Sequence, residues 1–134
     1  PTPMKLSNVT LSELQQNKFS RRKAEYITDI SKLEANGKIS LEKLRCGSAE
    51  RASELLIALR GVGPWTVNWL LMGSLGYQDA FPSGDLALQK AMTKISNGPT
   101  TISSIESLKF SERWQPFRSW VTAYIFKAIR DDFL

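Results

Sequence analysis

The sequence predicts an all-α fold. Three observations carry that prediction. No segment sustains the period-two alternation of a half-buried strand. Apolar residues recur at helical spacing in several stretches. The breaks between those stretches are Gly, Asn-Gly and Pro, residues that stop helices and form turns. At 134 residues with 42% hydrophobic side chains, the chain is long enough to bury a core.

Taken in order, the elements follow from caps and periodicity. Thr10 caps a short helix over 10–16, with Glu13 at the reciprocal capping position. Ser20 caps a helix over 20–35 whose apolar face is Tyr26, Ile27, Ile30 and Leu33, and Asn36-Gly37 ends it. Its first turn holds Arg21, Arg22 and Lys23, three cations that oppose the helix dipole. They read as a solvated basic turn or as a surface facing phosphate. A further short helix over 40–46 includes Cys46, read as a small buried apolar residue. Ser48 opens a helix over 49–60.

The stretch Leu59-Arg60-Gly61-Val62-Gly63-Pro64-Trp65-Thr66 organises the chain. Gly61 suits the left-handed position after a helix, and Pro64 suits the first turn of the next. The short turn leaves amides at the start of the second helix without internal acceptors, and glycines let an anion approach them. The helix that follows, over 64–75, is apolar on nearly every side, which predicts deep burial. A loop through Pro82 leads to a helix over 85–95. Asn97-Gly98-Pro99 is a turn, a helix over 102–109 follows, and a last helix spans 116–131. In that last helix Phe117, Trp120, Val121, Tyr124, Ile125 and Ala128 form the expected core stripe.

Composition bounds the chemistry. Net charge is +5, which suits an anionic partner without establishing one. The chain has no His and one Cys, so Ser–His and Cys–His pairs, a disulfide framework and a four-Cys iron–sulfur cluster are all excluded. A lone Cys points to a reducing, intracellular compartment. The apolar stretches are too short to span a membrane.

Gly61-Val62-Gly63-Pro64-Trp65-Thr66 is followed by Asp79-Ala80-Phe81-Pro82-Ser83-Gly84-Asp85-Leu86. Together they resemble the hairpin and the Gly/Pro/Asp signature of the helix-hairpin-helix DNA glycosylases, above all the 3-methyladenine DNA glycosylase II branch. Glu112-Arg113-Trp114-Gln115-Pro116-Phe117-Arg118-Ser119-Trp120 resembles that branch's C-terminal segment. The likeness runs in order over nearly the whole chain. It implies the C-terminal portion of that fold: residues 1–78 as part of a six-helix barrel with the helix-hairpin-helix at 52–75, and 79–134 as a C-terminal helical domain. The family's first helices precede the segment seen here, so the chain is expected to be the C-terminal half of a longer glycosylase, with the other half as a partner.

The resemblance also assigns roles. Asp85, on spacing alone a helix N-cap, falls on the family's catalytic Asp. The two readings are compatible, because a carboxylate at a helix start is stabilised as the anion. An anion there would stabilise the positive charge that develops on the sugar or orient the attacking water. An alkylated purine is already cationic and leaves easily, which fits a chain without His. Bifunctional relatives carry a nucleophilic Lys where this chain has Trp65, and an indole forms no Schiff base. Lys90 and Lys94 do not match that position. The implied chemistry is therefore monofunctional.

Trp65 and Trp69 share a helix face and are either core or, by resemblance, walls of a pocket for a flipped base. Phe126 matches a third aromatic wall, or is an exposed Phe or a contact to the other half. Gly61, Gly63 and Thr66 would hold DNA phosphate through backbone amides, which gives affinity without sequence identity. Asp79 reads as turn chemistry, and Arg113 and Arg118 as phosphate contacts or tail packing. No metal site is expected in the chain's side chains, though relatives hold a monovalent cation on hairpin carbonyls. The expected partner is double-stranded DNA with alkylated bases, in bacterial cytoplasm or a eukaryotic nucleus, with no membrane. Two rivals remain: a helix-hairpin-helix DNA-binding module without catalysis, and an inactive glycosylase fragment. Asp85 favours catalysis over the module, and the chain's start favours the fragment.

Overall fold

The computed structural model describes residues 1–134, and every regular element is helical. The α-helices are α1 (Pro3–Ser7), α2 (Leu11–Gln16), α3 (Arg21–Ala35), α4 (Ala49–Ile57), α5 (Pro64–Trp69), α6 (Leu86–Ile95), α7 (Ser104–Ser111) and α8 (Arg118–Arg130). They fall into two compact units, Pro1–Val62 and Gly63–Leu134. No helix is long and apolar enough to cross a membrane.

In the first unit α1 and α2 pack on α3. Thr10 and Glu13 form the expected reciprocal cap of α2, with the Glu13 amide donating to Thr10 Oγ1 at 3.2 Å and the Thr10 amide donating to Glu13 Oε2 at 2.8 Å. Ser20 and Ser48 cap α3 and α4 as read from the sequence. The core here is small: Leu14, Ala24, Ala52 and Leu56. On α3 the most buried residues are Ala24, Thr28 and Ser31, whereas Tyr26, Ile27, Ile30 and Leu33 are half-buried. The residues that α3 buries are thus its small ones, which allow close packing of a neighbouring backbone. The helix expected over 40–46 reduces to a 3₁₀ turn, Lys43–Cys46, and Cys46 is exposed rather than buried.

The end of this unit is fixed by Arg60. Its guanidinium donates to Asp29 Oδ2 and Glu25 Oε2, both at 3.1 Å, and lies 5.3 Å from the centre of the Tyr26 ring. Gly61 follows at φ +87°. A Cβ there would stand 2.2 Å from Tyr26 Cδ2. Glycine is required on both counts: the backbone sign and the ring pressed against it.

The second unit is built on Phe81, Leu88, Ala91, Met92 and Ile125, with Ile102, Phe110, Trp114, Val121, Phe126, Ile129 and Leu134 packed around them. Ser103 and Glu106 form a reciprocal cap at the start of α7. Past Trp69 the helix widens into a π-helical turn, Leu70–Ser74, closed by the Leu75 amide on the Leu70 carbonyl at 2.9 Å. Deep burial of this segment is corrected: only Val67 and Leu71 are buried, and Trp65 is 51% exposed.

The stripe expected on α8 is corrected in part: Ile125 is buried and Val121 packs against the core, as expected. Ser119, Thr122 and Ile125 face inward, while Phe117, Trp120 and Tyr124 are 53, 58 and 69% exposed. Hydrogen bonding decides which face turns in. Ser119 ties α8 to the loop before α6, and Thr122 Oγ1 donates back to the Arg118 carbonyl at 2.8 Å, so both hydroxyls enter the interior satisfied.

Gly61→Ala should destabilise the protein by at least about 2 kcal/mol, since strain at a left-handed position adds to the clash with Tyr26. Urea unfolding of the variant beside the parent chain measures this; an unshifted midpoint would contradict the assigned role of Gly61.

Candidate active site

The loop between α5 and α6 is clamped from three helices. From α5, Asn68 donates to the Pro64 carbonyl at 3.0 Å and its Oδ1 accepts the Phe81 amide at 3.1 Å. From α6, Gln89 Nε2 donates to the Ser83 carbonyl at 2.8 Å. From α8, Ser119 Oγ donates to the Tyr77 carbonyl at 2.7 Å and accepts the Ala80 amide at 2.9 Å, and the Ser119 amide donates to the Gln78 carbonyl at 2.9 Å. Arg118 grips Asp79 in a fork: Nε to Oδ1 and Nη2 to Oδ2, each 2.7 Å. Such bidentate pairs fix geometry as well as adding energy. The Asp79 carboxyl is held below its ordinary pKa, first by this hydrogen bond from Arg118, against a smaller opposing effect of burial.

The loop delivers Asp85 to the start of α6. Asp85 Oδ1 accepts the amides of Ala87 at 3.0 Å and Leu88 at 3.1 Å, the N-cap geometry expected for it. Oδ2 accepts the indole Nε1–H of Trp65 at 2.8 Å. The Trp65 ring meets Trp69 edge-on, with centroids 6.1 Å apart at 61°, and Trp69 meets Phe126 at 5.1 Å. Asp85, Trp65, Trp69 and Phe126, all singled out in the sequence, thus form one continuous group. The Trp69 indole N–H is buried without a partner in it. Beside the group, Pro64, Trp65, Asn68, Pro82, Ser83, Gly84 and Ser104 line a hollow of about 190 Å³.

Gly63 is the N-cap of α5, with no side chain to cap it, and Pro64 brings no N–H. The Trp65 and Thr66 amides, in the first turn, have no intrahelical acceptor. A Cβ on Gly63 would meet nothing within 4 Å. Gly61 lies in the first unit, where the Val62 amide donates to the Leu59 carbonyl at 3.1 Å. The Gly61 and Val62 carbonyls accept no backbone hydrogen bond. Arg113 lies 3.7 Å over the Phe110 ring and donates to the Phe110 carbonyl, a tail-packing role.

The family model for base excision DNA repair proteins of the HhH-GPD superfamily matches residues 1–116. The chain belongs to that superfamily. The match includes the hairpin and Asp85; Phe126 lies beyond it. This HhH-GPD chain is 33% identical over 129 residues to the DNA-3-methyladenine glycosylase of Bacillus subtilis, covering 96% of this chain and 43% of that protein. It is similar to the solved 3-methyladenine DNA glycosylase of Archaeoglobus fulgidus, with 31% identity, a TM-score of 0.86, and 97% of this chain against 43% of that one. It is also similar to the Schizosaccharomyces pombe 3-methyladenine DNA glycosylase solved with abasic DNA, with 29% identity, a TM-score of 0.89, and 97% against 64%. The chain spans about half the length of these relatives.

Sequence reasoning missed the clamp. Asn68 and Gln89 were visible as lone amides in apolar helical stretches, a signal that buried polar groups have partners to find. Asp79 and Arg118 are too far apart in the chain for any local pattern to join them.

The lowered Asp79 pKa gives a pH prediction. A carboxyl whose pKa is depressed by folding adds stability above its unfolded value and loses it as pH falls toward the folded one. Asp79→Asn should therefore be less stable than the parent at neutral pH, and the gap should narrow as pH drops below the ordinary carboxyl value of 3.8. Thermal unfolding across that range reads it; a gap independent of pH would refute it.

Proposed function

We propose that the chain is the C-terminal part of a monofunctional DNA glycosylase that hydrolyses the N-glycosidic bond of alkylated purines such as 3-methyladenine in double-stranded DNA. The observation that carries this reading is the Asp85 carboxylate: anchored through Oδ1 at a helix start, it keeps Oδ2 beside an aromatic group in a chain of this superfamily. The names of the relatives supply the substrate class.

The flipped base stacks among Trp65, Trp69 and Phe126; a cationic base is drawn to π faces. The C1′–N bond breaks and the alkylated base leaves as a neutral molecule, taking the bond pair. Positive charge then sits on the sugar, where the Asp85 carboxylate stabilises it. Water adds to C1′ and gives up its proton, leaving an abasic site. With Trp65 where bifunctional relatives carry Lys, no covalent adduct forms and the strand is not cut. The free amides of Trp65 and Thr66, after Gly63, receive DNA phosphate. In this reading residues 1–78 form part of a barrel with the hairpin at 52–75, and 79–134 form the domain that carries Asp85, a functional division distinct from the two compact units. The partner half is the remainder of a longer glycosylase, and the compartment is intracellular, cytoplasmic in a bacterium or nuclear in a eukaryote.

Gly63→Ala should leave stability nearly unchanged, because its Cβ has room, yet weaken binding to duplex DNA severalfold where phosphate approaches. A titration at two salt concentrations beside a melting curve measures both; unchanged affinity in the folded variant would argue against hairpin binding.

Asp85→Asn should abolish release of methylated purine while DNA binding persists. The amide oxygen can still cap α6, and binding no longer opposes a carboxylate to polyanionic DNA. Loss of such a preorganised charge costs roughly 10²–10³ in rate, about 3–4 kcal/mol. Single-turnover release on methylated duplex, with a binding titration alongside, is the measurement. Near-normal release would reduce Asp85 to a helix cap.

A further inference from the structure

Two amides hold Asp85 Oδ1, but they leave the second oxygen free to swing. The terminal torsion of Asp is soft, so an N-cap alone does not fix the plane of the carboxylate. In this structure one side chain fixes it: Trp65 Nε1–H on Oδ2 at 2.8 Å. We infer that Trp65 is the positioning residue for Asp85, setting through its indole N–H the direction in which the carboxylate presents its charge. This rests on the functional reading above and adds a role that stacking against a base does not supply.

The geometry supports the role in three ways. First, Trp65 is a rigid donor whose ring is itself held edge-on by Trp69, which Phe126 holds in turn. The aromatic group therefore acts as a jig running from α8 through α5 to the carboxylate. Second, the indole is a neutral donor. It stabilises an anion without cancelling it, whereas a Lys or Arg at 2.8 Å would neutralise the charge meant for a cationic sugar. Third, Trp65 is half exposed, so in the free protein water competes for the bond. When DNA covers it the bond strengthens, because lower local polarity favours a charge-assisted hydrogen bond. The restraint therefore tightens at the moment when charge develops.

The test separates the N–H from the ring. Trp65→Phe keeps an aromatic face and removes the donor. Replacing Trp65 by benzothienylalanine keeps size and shape, with sulfur in place of N–H. Two duplexes serve as probes: one with a neutral tetrahydrofuran abasic site and one with a cationic pyrrolidine abasic site. The ratio of their affinities reads how well the carboxylate faces a cationic sugar. In both variants, single-turnover release and the preference for pyrrolidine should fall about tenfold, the scale of one hydrogen bond to a charged group. Affinity for the tetrahydrofuran duplex, which offers the ring no base to stack on, should change by less than the pyrrolidine preference does.

Retained release and preference in the benzothienylalanine protein would overturn the inference. So would a loss of tetrahydrofuran affinity in step with release, which would make Trp65 a DNA contact only. If Asp85→Asn keeps normal release, the functional reading fails by itself. The positioning role is then judged by the pyrrolidine preference and by the Trp65 indole proton resonance. That resonance should move in Asp85→Asn, where the amide group offers the indole no anionic oxygen; a resonance that stays put would sink the inference.

Discussion

The second unit depends on where one carboxylate is held. Asp85 serves as the cap of α6, and a cap needs only one oxygen. The other oxygen is available because the loop before it approaches at a fixed angle. That angle is set by Asn68, Gln89, Ser119 and the Asp79–Arg118 fork, which bind main-chain or side-chain atoms of six loop residues from Tyr77 to Ser83. In the proposed reaction the carboxylate must face a reacting sugar, which tolerates little error in placement, and side chains on helices hold a loop better than the loop holds itself.

Much of the framework was legible in the chain. Caps at Thr10, Ser20 and Ser48 announce helix starts because their side chains satisfy amides that nothing else reaches. Asp85 was legible as a cap by spacing; its role in a site rests on resemblance and belongs to the proposal. What local patterns could not supply was pairing at a distance. Trp65 and Asp85 both stood out, but nothing in their spacing says that an indole edge meets a carboxylate rather than a base meeting the indole face. The same holds for Ser119, whose hydroxyl looks like surface until the loop carbonyl it serves is known.

The α8 face shows why hydrophobic period misleads when polar groups come with partners. Counting apolar residues selects Phe117, Trp120 and Tyr124 along with Val121, Ile125 and Ala128; the structure buries Ile125 but takes Ser119 and Thr122 inward in place of the three aromatics. A small hydroxyl that finds a carbonyl lets backbone approach backbone more closely than an aromatic ring would, and here the approach is needed to hold the loop. The aromatics are displaced outward, and Phe126, off the expected stripe, turns toward Trp69. Site geometry therefore outranks the burial of three large rings.

The two glycines of the turn make the last step. In the sequence Gly61 and Gly63 look like equivalent members of one motif. In the structure they answer different demands. Gly61 has positive φ and a tyrosine ring where a Cβ would be, so the fold requires it. Gly63 has φ −106°, a value any residue adopts, and empty space around it. Nothing within its own unit explains the absence of a side chain there. An uncapped helix start with open space above it is the arrangement expected where an outside acceptor must reach backbone amides. Only the first of the two is a requirement of folding; the second fits the proposal that the turn receives DNA phosphate.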